Sequence, residues 1–431
     1  MIRPTVARVD LSAIETNLRA ISTFVSSPDA PSPDHRISDI GHRISGATAA
    51  AAAPAKTAPR IIAVVKANAY GHGASEVGLA LERAGAAMLA CADIEEGIVL
   101  RRAGVRIPIL VFGALGISDL EGVFVYDLTP TISTPAAAQN LATAARRFGP
   151  GSDRGQTGVK PGSDRGQTGV RPGSDRGQTR QKLRCHLKID TGMNRLGFRH
   201  DNLARTLPEI ARSEHLAIDA VYTHFATADE PEHPAFGEQR ERFERVLAAL
   251  PALGITPRYR HAANSAALLR DERVWYDFVR PGLLLYGIVP PPLAATLPLR
   301  PALSLHSRIV HVKGMRPGEG TGYGLHSVTD RPATIAVVPA GYADGLDRRM
   351  AGRTCMLVRG KRVPIVGSVC MDMTMIDVTG LDVSTGDEVV IVGEQAGEAI
   401  GMREVAASIG TIPYELLCRV GTRIERLYDR P

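Results

Sequence analysis

The chain has 431 residues, 44% of them hydrophobic and 22% charged, with one Trp and a formal net charge of +6. Such a length can bury a large core, and the composition fits a globular enzyme while excluding fibrous and membrane classes. Seven basic residues face three aspartates between 151 and 182, which supplies +4 of the charge, so the rest is near balance and gives no reason to expect a nucleic-acid partner.

Five cysteines without a CxxC pair argue for reduced thiols and against a disulfide or zinc framework, so no metal is expected. No secretory signal and no apolar run of ~18 residues is visible, and the cytoplasm is the expected location.

Thr5 to Asp10 reads as a short strand, and the spacing of Leu11, Ile14, Leu18, Ile21 and Phe24 predicts a helix after it, with Ser12 and Glu15 in capping-box register. Residues 27–58 are rich in Ser, Pro and Ala and read as an insertion. Ile61 to Lys66 is an apolar strand that ends on a lysine and runs into a Gly-containing turn. A lysine there either snorkels to water or holds a partner, and the local pattern leaves both open.

Strand and helix signals then alternate. Ala74–Gly85 reads as a helix, Met88–Asp93 as a strand, Ile94–Gly104 as a helix, Ile107–Phe112 and Val123–Ile132 as apolar runs, and Pro135–Phe148 as a helix. An 11-residue unit beginning GSDRGQT starts at 151, 162 and 173, with nothing apolar to bury, and reads as a loop expansion over 149–182. The pattern resumes with RCHLKIDTGMNRLGF from Arg184, a helix at Asn202–Arg212, a strand at Ala217–His224, a helix at Ala235–Leu250, Arg258–His261 and Trp275–Tyr286. About eight strands before Pro290 predict an α/β fold, a (β/α)8 TIM-type barrel over residues 1–295. From 296 to 431 the Val, Ile and Thr runs separated by Gly and Asp turns predict a mostly β C-terminal domain, closed by short helices near Arg403–Ile409 and Tyr414–Arg419.

Barrel enzymes carry their chemistry at the C-terminal ends of strands. Those ends bring Lys66, Asp190 with Arg195, His224, Asn264 with Ser265, and Arg280 with Gly282 to one face. An amine, arginines, a hydroxyl and a Gly-containing turn are the parts that hold a phosphorylated, carbonyl-bearing cofactor.

The ordered motifs AVVKANAYGHG, LKIDTGMNRLGF, YTHFATAD, HAANSAALL, VRPGLLLYG, GYGLH, PAGYADGL and GSVCMDMTMIDV resemble the alanine racemase family. The resemblance implies a pyridoxal 5′-phosphate enzyme that interconverts L- and D-alanine, supplying D-alanine for peptidoglycan. It implies that Lys66 forms the Schiff base and serves as one base, and that Tyr323 of the partner subunit in a head-to-tail homodimer is the other. Tyr70, Asn264, Ser265, Gly282, Leu283 and Tyr414 match cofactor positions, mostly at the phosphate. Arg280 matches the arginine at the pyridine nitrogen, His224 a residue beside the ring, and Arg195 the contact to the phenolic oxygen. Met371 and Asp372 match neighbours of the substrate carboxylate, Tyr342 lines the way in, and Lys188 occupies a position that is carbamylated in many members. The alternatives left open are a racemase of broader or different amino-acid specificity and a non-catalytic pyridoxal-phosphate-binding barrel; a related decarboxylase fits the later motifs poorly.

The chemistry explains the residue types. Racemisation needs two opposed acid/base groups, because a single base returns the proton to the face it left. An arginine at the ring nitrogen keeps its own proton, so that nitrogen stays unprotonated and the cofactor is a weaker electron sink.

Overall fold

The computed structural model describes residues 4–26, 58–115, 119–149, 182–294, 297–326 and 329–430, so the two predicted insertions lie almost wholly outside the described residues. β1 (Val6–Asp10) leads into the helix Leu11–Ser26. The barrel strands follow: β2 (Arg60–Val64), β3 (Met88–Cys91), β4 (Ile109–Val111), β5 (Thr129–Ile132), β6 (Leu183–Asp190), β8 (Leu216–Tyr222), β9 (Tyr259–Asn264) and β10 (Phe278–Arg280). The two-residue β7 (Phe198–Arg199) pairs with β6 and stands outside the ring. Every neighbouring pair is parallel, β10 pairs with β2, and β5 pairs with β6, so the eight strands close as the sequence predicts. Strands such as Ile61–Val64 and Met88–Cys91 are buried throughout, as parallel strands between a filled interior and a coat of helices must be.

The second sheet holds β11 (Leu303–Arg308), β12 (His311–Met315), β13 (Ala333–Val338), β14 (Cys355–Val358), β15 (Lys361–Val366), β16 (Thr374–Asp377), β17 (Glu388–Gln395), β18 (Glu398–Ile400) and β19 (Glu425–Asp429). β1 is the tenth member, antiparallel to β11 and parallel to β19. This corrects the expectation that residues from the N-terminus onward belong to the barrel. The reason is long-range pairing: β1 lies between β11 and β19, and with Val6, Ala7 and Val9 enclosed and Arg8 exposed both of its faces are largely covered. Local pattern marks a strand there but not which sheet owns it.

Other boundaries differ for identifiable reasons. The predicted capping box is absent; Asp10 caps the helix instead, its Oδ1 accepting from the Ala13 N–H at 2.8 Å, and Glu15 pairs with Arg19 and Arg83. Pro208 breaks the predicted 202–212 helix into two single turns. The apolar run 275–286 contains only three residues of strand, followed after Pro281 and Gly282 by the 3₁₀ turn Leu283–Tyr286.

Asn17 fastens the barrel's last turn to the strand of chain leading into the second sheet. Fully buried, it donates to the carbonyls of Leu285 (3.0 Å) and Arg300 (2.8 Å) and accepts from the Arg300 N–H (2.8 Å). Backbone polar groups buried at this crossing are thereby satisfied.

Candidate active site

β2 ends at Val64, and Lys66 starts a turn rather than closing the strand. Ala67, Asn68, Ala69 and Tyr70 all have φ between +51° and +54°, a turn of left-handed helix built from residues with side chains. Each such residue costs about 1–2 kcal/mol relative to right-handed backbone, so the turn persists only because its surroundings impose it. The Ala69 N–H donates to Val65 O at 2.8 Å, Asn68 Oδ1 accepts from the Ala74 N–H at 2.8 Å, and the Arg426 guanidinium donates to Gly71 O at 2.8 Å. A Cβ on Gly71 would lie 2.1 Å from Leu417 O, which is why the C-terminal helix Pro413–Cys418 can seat directly on the turn.

The turn lines a cleft of about 530 Å³ at the C-terminal end of the barrel. That cleft also gathers Lys188, Arg195, His224, Asn264, Ser265, Arg280, Gly282 and Tyr414, so nearly every barrel residue expected at the site shares one space. Leu283 is fully buried directly behind Gly282.

One wall is a cradle. Asn264 Oδ1 caps the helix Ser265–Arg270 by accepting from the Ala267 N–H at 2.9 Å, which places Ser265 at its first position. Ser265 Oγ accepts from the Gly282 N–H at 2.9 Å, and a Cβ on Gly282 would stand 2.6 Å from the Tyr70 hydroxyl. The Tyr70 ring packs against Tyr286 and Tyr414 at 5.1 and 5.8 Å. Burial, with Tyr414 nearby, pushes the Tyr70 phenol up, and burial raises Tyr414 to about 12, so both stay protonated donors.

The floor is cationic. Arg280 is 3% exposed and forms no carboxylate ion pair among the described residues. It donates to the carbonyls of Thr223 and Ala262, both at 2.8 Å, and to the Nδ1 atoms of His261 (2.8 Å) and His224 (3.2 Å). Burial lowers the guanidinium to about 10, leaving it charged at neutral pH. Accepting at Nδ1 leaves the proton of His261 on Nε2, which faces His186 Nδ1 at 3.0 Å. Burial first and Arg280 second hold His186 down to about 3 and His224 and His261 well below the usual imidazole range, so all three are neutral.

Burial, then the Arg195 guanidinium, lower the Lys66 amine, and the same two causes bring Lys188 to about 8. The Lys188 ammonium sits 5.6 Å above the Tyr222 ring.

Tyr323, Tyr342, Met371 and Asp372 are elsewhere, on a broad depression of the second sheet. Tyr342 and Ala343 donate their N–H groups to the carbonyls of Cys370 (2.9 Å) and Met371 (3.0 Å), which zips the two loops together. Gly322, at φ +69°, lets the chain turn under Tyr323, since a Cβ there would lie 2.7 Å from Met375 Cε. Tyr323 is 77% exposed and Met371 52%. Within one chain these residues face solvent and do not meet Lys66.

Sequence reasoning passes over His186, His261 and Tyr222, which all point into the barrel. Their signal is a polar group inside an otherwise buried parallel strand, as in CHLKI and HAAN.

Fold and mouth together define a class, the (β/α)8 enzymes with a lysine at the barrel mouth and an appended β domain. The chain belongs to the alanine racemase family: residues 40–290 match the model of the alanine racemase N-terminal domain and residues 302–428 that of its C-terminal domain. The alanine racemase of Symbiobacterium thermophilum is 38% identical over 429 residues, covering 99% of this chain and 97% of that protein. That of Halothermothrix orenii is 35% identical over 428 residues, with 99% and 97% covered. Among solved structures, alanine racemase from D-cycloserine-producing Streptomyces lavendulae superposes with a TM-score of 0.83 at 30% identity, covering 100% of this chain and 98% of that one. The Bacillus anthracis enzyme with bound L-Ala-P gives 0.78 at 33% identity, covering 100% and 96%. The chain is accordingly an enzyme that racemises alanine.

Proposed function

We propose that racemisation proceeds by two bases on opposite faces of the substrate α-carbon, Lys66 of one subunit and Tyr323 of the partner subunit, with pyridoxal 5′-phosphate held at Lys66. The observation that carries this reading is the set of complementary groups around one cleft: the Lys66 amine, the Ser265–Gly282–Tyr70 cradle and the buried Arg280 cation. The cradle suits a phosphate because Gly282, having no Cβ, lets the Tyr70 hydroxyl stand close to the Ser265 hydroxyl at the start of a helix, and the cleft volume suits a ring of that size. When bound, the cofactor withdraws electron density from the α-carbon and so lowers the cost of removing its proton.

The chain's own groups do the rest. Lys66, with its amine pushed below the usual lysine range by burial and Arg195, is the group that accepts or returns a proton on its face. Arg280 would hold the ring-nitrogen side of the cofactor, and its backbone and histidine contacts keep the guanidinium in place. Arg195 supplies positive charge beside Lys66 and Lys188. Lys188, at about 8, has an appreciable neutral fraction, as carbamylation requires.

Tyr323, Leu325, Tyr342, Met371 and Met373 form an exposed apolar face, which supports a homodimer in which that face closes the partner's cleft. Met371, Asp372 and Tyr342 then border the substrate. Five unpaired cysteines suit the reducing cytoplasm, where D-alanine is made for peptidoglycan.

The test is a pair of variants. Lys66→Ala abolishes both the cofactor's long-wavelength absorbance and turnover of L-alanine in a chiral assay; retained turnover refutes the assignment. Tyr323→Phe loses turnover by about a thousandfold, within the range a general base supplies, and keeps that absorbance. The same assay across serine and basic amino acids measures specificity.

A further inference from the structure

Glu96 lies on the helix Ile94–Ala103 after β3 and belongs to none of the motifs above. Its carboxylate bridges two backbone N–H groups: Oε1 accepts from Ala67 at 2.6 Å and Oε2 from Ala92 at 2.8 Å. Ala67 is the residue after Lys66 and the first of the left-handed turn, and Ala92 directly follows β3. Glu96 is itself held, its N–H donating to Asp93 Oδ1 at 2.8 Å as that aspartate caps the helix. One carboxylate thus staples the start of a strained turn to the end of the neighbouring barrel strand. Val65, the residue before Lys66, is itself tied to β3 by its N–H to Ala90 O at 2.8 Å, and the remaining bonds of the turn lie mainly within it or to the C-terminal helix region. The Glu96 bridge is a second tie on the other side of Lys66, so the lysine is held between two fastenings to β3 and the residue that follows it.

We propose that Glu96 is a positioning residue for racemisation: by holding Ala67 against Ala92 it sets where the Lys66 side chain leaves the sheet and aims its amine at the substrate α-carbon. The inference rests on Lys66 being the Schiff-base lysine. A displacement of about 1 Å in a catalytic group is enough to slow turnover strongly, and four adjacent left-handed residues give the backbone every reason to relax once a fastening is removed. Glu96 also contributes charge. The groups facing the Lys66 amine are Arg195 and Lys188 from the β6 side, Cys418 from the C-terminal helix, and Glu96; the first two disfavour the ammonium and the last two favour it.

Two variants test this. Glu96→Ala removes both contacts, and Glu96→Gln keeps the size but replaces one acceptor oxygen with a donor facing an N–H. In the full-length apoprotein, amide hydrogen exchange at Ala67 and Ala92 speeds up by about tenfold or more in Glu96→Ala. The midpoint of pH-dependent amine labelling at Lys66 moves to lower pH in both variants, because a neighbouring negative charge is gone. In the holoenzyme kcat falls by about tenfold or more while KM changes less than about threefold. Unchanged exchange at both amides, or lost turnover with the Lys66 labelling midpoint unmoved, overturns the proposal. Failure of the underlying reading looks different: Lys66→Ala then retains the cofactor's long-wavelength absorbance, whatever the exchange at Ala67 and Ala92.

Discussion

At the scale of single residues the cleft depends on atoms that are missing as much as on those present. A Cβ on Gly282 would approach the Tyr70 hydroxyl to 2.6 Å, and Tyr70 is backed by Tyr286 and Tyr414, so its ring has little room to retreat. Gly282→Ala therefore overpacks the cradle: it destabilises the apoprotein by about 1–3 kcal/mol in chemical denaturation, and affinity for pyridoxal 5′-phosphate, the cofactor proposed above, falls by about tenfold or more on titration of the folded apoprotein. Gly282 is legible in the sequence because VRPGLLLYG resembles a family motif, and Lys66 because it follows an apolar strand. Glu96 is not legible, since it acts through its carboxylate on backbone N–H groups that any residues at 67 and 92 would supply. The left-handed turn is hidden for a related reason: KANAY contains no glycine, and its handedness is imposed by contacts from β3, the helix at 74 and the C-terminus.

At the scale of elements, two devices link stability to pH. Asp347 seats the helix that carries Tyr414: it accepts from the Arg349 N–H and Nε at 2.8 and 2.9 Å and pairs with Arg419, just beyond that helix. Hydrogen bonds from Arg349 foremost, with help from Arg419, hold its carboxyl well below the usual range. A group depressed in the fold stabilises above its unfolded value, about 4, and loses that contribution as pH falls below it. Asp347→Asn thus costs about 1–3 kcal/mol at pH 7, and the gap to wild type in chemical denaturation narrows toward pH 3. The buried histidines act at a higher pH. His72, lowered to about 4, His186, lowered to about 3, and His261 are enclosed and neutral, whereas in the unfolded chain they protonate below about 6.5. Each contributes stability above that value and withdraws up to about 1.4 kcal/mol per pH unit below it. The thermal midpoint therefore falls between pH 7 and pH 5, and a flat profile there refutes the neutral assignment.

For the whole molecule, the closed parallel barrel is readable from alternating strands and helices, because each buried strand announces itself by its apolar run. The membership of β1 in the second sheet is not, since pairing with β11 and β19 is decided by residues some 300 or more positions away. The separation of Lys66 and Tyr323 onto two surfaces is likewise a property of the folded chain: Lys66 opens on the barrel cleft and Tyr323 on the second sheet. If each cleft is completed by the partner subunit, one dead subunit can rescue another. A dimer of Lys66→Ala with Tyr323→Phe holds one site in which both bases are lost and one in which both are intact. Equal mixing of the two inactive proteins, with subunits allowed to exchange, then restores about a quarter of wild-type activity, because half the dimers are mixed and each mixed dimer has one working site. A site contained within one chain gives no recovery at any ratio. Each variant assayed alone before mixing reports any contaminating wild-type enzyme, whose activity is present without mixing, whereas activity from a shared site appears only after the two are combined.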